Sequence, residues 1–209
     1  MSTMKTTFHD LFDLTFGRED PAPTEGARKH QLILSAVLLS LAFAALYGLA
    51  AGSRSMPLML GNLYKLPMVV LLSTVCAMPA GALAWKLSGT TCSLTDVLVR
   101  HVSAVLAGTA VLLVLAPLLA VYYQTSAWAG PLIAVGASTI AVIVALVQAV
   151  RKTLAATPEG VSRAAALIPV VVLGVVQLAT LLQLLALAAP IVPEVTAFEG
   201  GLDGFFHAR

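Results

Sequence analysis

The chain has 209 residues, of which 59% are hydrophobic and 11% charged, with a formal net charge of +2. Soluble domains hold about 45–50% apolar and about 25% charged residues, so most of this chain has lipid as its solvent. The small net charge and the lack of a basic cluster exclude nucleic-acid binding.

The two cysteines, Cys76 in a hydrophobic run and Cys92 in a loop, make neither a disulfide framework nor an unaided zinc site. Cys76 reads as a small buried core residue.

Residues 1–30 form an expected cytoplasmic tail with five acids. That is unlike the short basic start of a signal peptide, so no cleaved leader is expected. No Met-Gly start or C-terminal Cys lipidation motif is present. Within the tail, TTFHDLFDLTFG (6–17) has a helical pattern. Phe8, Leu11, Phe12 and Phe16 share a face at i, i+3, i+4 and i+8, with His9, Asp10 and Asp13 on the other side. Gly17 stops the helix, and Pro21 and Pro23 make an extended linker. Membrane-surface helices carry Lys and Arg on the polar face, because inner leaflets are anionic. This face is acidic, so two readings stay open. Phe8, Leu11, Phe12, Asp13 and Phe16 dock into a groove on a cytosolic protein, in the helix-in-groove mode, or the helix caps this protein's own bundle.

Five apolar stretches, at about 31–52, 66–87, 97–124, 130–150 and 164–191, are long enough to cross a hydrocarbon core, and none contains Asp or Glu. Continuous runs without period-two alternation exclude a barrel, and an open sheet would leave backbone groups unpaired in lipid. The expected fold is an all-α integral membrane protein, a bundle of five transmembrane helices over 31–191, with an extracytoplasmic tail at 192–209.

Lys and Arg set the direction. Lys5, Arg18, Arg28, Lys29, Lys86, Arg100, Arg151, Lys152 and Arg163 fall on one side, and Arg54, Lys65 and Arg209 on the other. That bias places the N-terminus in the cytoplasm and the C-terminus outside, as in a bacterial inner membrane. Tyr47, Tyr64, Tyr122, Tyr123 and Trp128 fall at the outer boundary of the spans and Trp85 at the inner one, as an aromatic belt would. Asp96 and Arg100 are spaced to pair at i, i+4.

Small residues mark packing. Gly48 and Gly52 end the first span, and Ala137, Ala141, Ala145 and Ala149 recur every four residues in the fourth. Such stripes let helix backbones approach, and van der Waals contact holds helices together in lipid. Pro67, Pro131 and Pro169 are expected in first turns, and Pro79 and Pro117 inside helices, where they kink the axis.

Intramembrane polar groups are few: Thr109, Ser138, Thr139, Gln177, Thr180 and Gln183. They suit structural hydrogen bonds between helices, and the absence of a carboxylate removes the usual coupling group of an ion-driven carrier. Met56, Met59 and Met68 lack a nearby His or Cys to complete a Cu(I) site. No hydrolase, metalloprotease, nucleotide-binding or redox motif occurs, so neither an enzyme nor a cofactor is expected.

The layout, with a phenylalanine-rich acidic tail before five spans, resembles the Yip-type family of integral membrane proteins. The segment AWAGPLIA (127–134) is similar to a Trp-Gly-Pro-Leu element of that family, where it precedes the first span; here it precedes the fourth. KLPMVVLLSTVCAMPAG (65–81) resembles parts of bacterial multi-span proteins without assigned function. The resemblance implies a non-enzymatic role in membrane organisation or adaptor binding, and no functional residue carries over. The expected function is a membrane anchor or subunit of a larger complex that recruits a cytosolic partner. The alternative is a small oligomeric transporter or channel component.

Overall fold

In hydrocarbon every backbone N–H and C=O must be satisfied within the segment, and the apolar runs do this as helices. The computed structural model describes residues 11–13, 15, 26–90, 92–126 and 128–188. It contains five long helices: α1 (Gly26–Ala51), α2 (Met56–Ser88), α3 (Leu94–Thr125), α4 (Ala129–Ala155) and α5 (Arg163–Ala188). All five are long and apolar enough to cross a membrane, the property of a multi-pass integral membrane protein.

Helix α2 begins at Met56 rather than Leu66. Ser55 is its N-cap, its side-chain oxygen accepting from the Leu58 N–H at 3.4 Å, and Pro57 follows in the first turn. Pro67 therefore lies inside the helix, not in its first turn, and Pro169 likewise lies inside α5. Pro131 does fall in the first turn of α4. The start of α2 was hidden because Asn62, Tyr64 and Lys65 dilute its hydropathy. At about 1.5 Å per residue, 33 residues reach about 50 Å, beyond a core of about 30 Å, so α2 tilts or protrudes. The start of α3 is a capping box: Ser93 Oγ accepts from Asp96 N, and the Asp96 carboxylate accepts from Ser93 N.

The packing order runs α1, α3, α4, α5, α2 and returns to α1, with α4 and α5 touching least among neighbours. Small residues sit at these contacts. A Cβ on Gly48 would collide with the Asn62 carbonyl of α2, and one on Gly52 with the Met59 backbone. One on Gly108 of α3 would lie 2.8 Å from the Ala141 carbonyl of α4. Ala137 is buried with Tyr47 and Leu119, and Ala149 with Ala104 and Val170. Ala145 is half-buried in the same stripe.

Large apolar side chains such as Leu34, Leu83, Val114, Ile143 and Val175 face outward, as lipid-facing residues do. Cys76 is among the exposed residues, against the expectation of burial. It follows Val75 on the outward side of α2, while Ala77 turns inward. Tyr47 and Tyr123 also depart from the expected belt: both are buried in the bundle, whereas Tyr64, Tyr122 and Trp128 are exposed.

Candidate functional site

Two places gather groups that the packing alone does not use. The first is the core of the helix ring. All five helices contribute to a cavity of about 120 Å³, whose walls are mostly Ala, Val, Leu and Gly. Its polar lining is Tyr47 from α1, His101 and Thr109 from α3, Ser138 from α4 and Gln177 from α5.

Most of these polar groups have their hydrogens engaged. Thr109 Oγ1 donates to the Leu106 carbonyl at 3.0 Å and Ser138 Oγ to the Ala134 carbonyl at 2.8 Å. Gln177 Nε2 donates to Thr74 Oγ1 of α2 at 3.0 Å, the kind of cross-helix bond expected of an intramembrane glutamine. Tyr47 reaches across the ring, its hydroxyl donating to the Ala134 carbonyl of α4 at 3.1 Å. Leu119, Tyr123 and Ala137 pack in the same cluster as Tyr47.

At the opposite end lie His101 and, beyond Ala149, Lys152. Lys152 Nζ donates to Ser103 Oγ at 3.2 Å and is buried, so α3 and α4 share a polar contact below the apolar stretch. Lys29 Nζ of α1 meets Asp96 Oδ1 of α3 at 2.7 Å on the same end. Asp96 thus bonds to Lys29 and Ser93 rather than serving only the i, i+4 spacing to Arg100.

His101, beside Arg100 near the start of α3, reads in sequence as part of a helix-end anchor, but the structure turns it into the core. It is 5% exposed and lines the cavity; the Gln177 side chain lies against the imidazole, and among the described residues no group meets its Nε2 in full hydrogen-bond geometry. The sequence signal was available in its place seven residues into α3, two turns from the Ser93 cap, where an imidazole has left the helix terminus.

The second place is the amino-terminal segment. Residues 11–13 and 15 are helical. Leu11 is 4% exposed, packed with Leu32 and Ala36 of α1 and Val99, Val102 and Leu106 of α3. Thr15 is buried, its hydroxyl donating to the Leu11 carbonyl at 2.7 Å. Phe12, the next residue, is 57% exposed, and Asp13 is half-buried. Adjacent helical residues do not face the same surface, so Leu11 and Phe12 part company at the edge of the apolar arc. Phe8 and Phe16 lie outside the described residues.

Among the described residues, no group of three His, Cys, Asp or Glu could hold a metal ion. No protein family, characterised protein or solved structure matches the chain. The fold and the two sites therefore define only a class: a multi-pass helical membrane protein with a small, largely apolar core cavity.

Proposed function

We propose that this protein is a non-catalytic membrane anchor or subunit of a larger complex, set in a bacterial inner membrane with its N-terminus in the cytoplasm, and that it recruits a cytosolic protein through its amino-terminal helix. The observation that carries this reading is the division between Leu11 and Phe12. Leu11 seats the segment on α1 and α3. The seat holds Phe12 outward at a fixed angle, and a pre-oriented aromatic loses less entropy on docking than one on a free tail. Asp13 beside it favours a groove with a basic rim. Leu11 is then the hinge-pin of the display rather than a partner contact. The layout-level resemblance to the Yip-type family implies the same kind of adaptor role.

The test compares membranes carrying the wild type, Phe12→Ala and Leu11→Ala, cross-linked and purified in detergent. Truncating a central aromatic anchor costs about 2 kcal/mol or more, roughly thirtyfold in affinity, so Phe12→Ala releases the partner while expression and insertion hold. An unchanged set of cross-linked proteins, together with tight binding of the free 6–17 peptide to anionic vesicles, ends the docking reading.

A second reading, a small transporter or channel component acting as an oligomer, draws on the core cavity. Among the described residues no Asp, Glu, Lys or Arg lines it, which favours a neutral solute over an ion. Solute flux in proteoliposomes that is lost on filling the cavity would move the assignment to this reading.

A further inference from the structure

Helix α5 runs antiparallel along α2. Gln177 Nε2 meets Thr74 Oγ1 at 3.0 Å, and Leu173 packs in one cluster with Ala77 and lies against Gly81. Steps of four and three residues from Thr74 stay on that face of α2 and lead through Val70 and Pro67 to Leu63, Leu60 and Met56. In the same register Ala188, where α5 ends, comes level with about Leu63. The cover over α2 ends with it. Thr74 and Ala77 are buried and Val70 and Pro67 half-buried, whereas Leu63, Leu60 and Met56 are 38%, 54% and 64% exposed.

Lipid does not account for this stripe. From Lys65 to Lys86, α2 rises about 32 Å at about 1.5 Å per residue, enough to cross a hydrocarbon core of about 30 Å. On that scale Leu60 and Met56 stand about 8 and 14 Å past Lys65, in the headgroup zone and beyond. A row of exposed apolar side chains at that height marks a contact surface rather than a lipid face.

We propose that the stripe seats the chain's own carboxy-terminal segment, residues 189–209, which lies outside the described residues. That segment begins where α5 ends, at the level of Leu63. Its sequence places Phe198, Leu202, Phe205 and Phe206 at i, i+4, i+7 and i+8, the spacing of one helical face. Glu194, Glu199 and Asp203 accompany them, and the exposed Arg54 stands just before Met56 as an opposite charge. The stretch from Ala188 to Phe198 reaches up to about 33 Å when extended, and the stripe is about 11 Å long, so the tether spans it. Tethering raises the local concentration to about the millimolar range, an advantage that neither a second copy nor a separate protein has. The stripe lies on α2, away from the Leu11 seat on α1 and α3, so it is independent of amino-terminal docking.

The experiment places one cysteine at the stripe, Leu60→Cys, in the full chain, with Cys76→Ser and Cys92→Ser removing the native thiols. Its reaction with a water-soluble maleimide is followed in nanodiscs. Both faces of a nanodisc meet the reagent, so the readout does not depend on the orientation of the bundle. Leu60→Cys should react about tenfold more slowly than in a chain that also carries Phe198→Ser, Leu202→Ser, Phe205→Ser and Phe206→Ser, the ratio for a cover in place about nine-tenths of the time. Met56→Cys gives the same comparison if Leu60→Cys does not fold, as a melting curve shows. Leu60→Cys paired with Leu202→Cys should be joined within one chain by a short bis-maleimide, whereas Val75→Cys, on the lipid side of α2, should not join Leu202→Cys. Equal reaction rates with and without the four tail substitutions would overturn the proposal. So would covalent dimers formed through Leu60→Cys alone, which would assign the stripe to a second copy.

Discussion

Tyr47 carries a phenol into the bundle, where it is 1% exposed, and its hydroxyl ties α1 to the Ala134 carbonyl of α4. Hydrogen bonds between membrane helices contribute about 0.6 kcal/mol on average and up to about 1.7. Tyr47→Phe is therefore expected to lower stability in detergent by about 1 kcal/mol, while Tyr64→Phe, on the exposed face of α2, leaves it unchanged. Equal melting temperatures for the two variants would show that the cross-ring bond contributes nothing. The capping box of α3 makes a second case. Ser93→Ala and Asp96→Ala should each cost about 1 kcal/mol, and the double variant less than their sum, because the two groups cap reciprocally. The Lys29–Asp96 pair adds little, since both side chains are partly exposed. Additive losses in chemical denaturation would contradict the reciprocal cap. At this scale the sequence discloses depth better than direction. Tyr47 and Tyr123 sit near a span end, as expected of belt residues, but hydropathy does not say which side of a helix meets lipid, so their burial was missed. Cys76 failed for the same reason in the opposite sense.

Between elements, contact is made by small residues, and one substitution separates their role from general hydrophobicity. Ala141 backs onto Gly108, where an added Cβ would lie 2.8 Å from the Ala141 carbonyl. Ala141→Leu should overpack the α3–α4 contact and cost about 1–3 kcal/mol, whereas Ile140→Leu, on the exposed side, should be mild. Matching thermal stability of the two variants would remove the stripe from the account of how α3 and α4 pack. The existence of five helices was legible because continuous apolar runs of this length have no other stable form in lipid. The stripes were legible as contacts, but their partners were not: Gly48 and Gly52 meet α2, while Ala141 meets α3, and nothing in a small-residue repeat names the facing helix. Helix starts were read less well. Ser55 followed by Pro57 is a start signal that the dilution of hydropathy by Asn62, Tyr64 and Lys65 obscured. His101 reads as a helix-end anchor because it follows Arg100, yet about one hundred degrees of helical rotation turns it into the core.

For the whole molecule, the helix order gathers Lys29, Lys86, Arg100, Arg151, Lys152 and Arg163 toward the end of the bundle that also carries Leu11, while Arg54 and Lys65 belong to the other end. The bundle is thus polarised in the sense that the positive-inside rule reads, and Lys and Arg flanking short loops fix orientation more strongly than acids do. The expected outcome is that a reporter active only in the cytoplasm works when fused after Leu154 and is silent when fused at Arg209. The two fusions differ by one crossing, α5, so they also test whether that helix spans. Activity at Arg209 would mean an even number of crossings and would place both tails on one side. The amino-terminal segment would keep its seat on α1 and α3 in either case, since Leu11 is held by the bundle itself. Its access to a cytosolic partner depends on the orientation, so a silent fusion after Leu154 would withdraw the docking role of Phe12 as well.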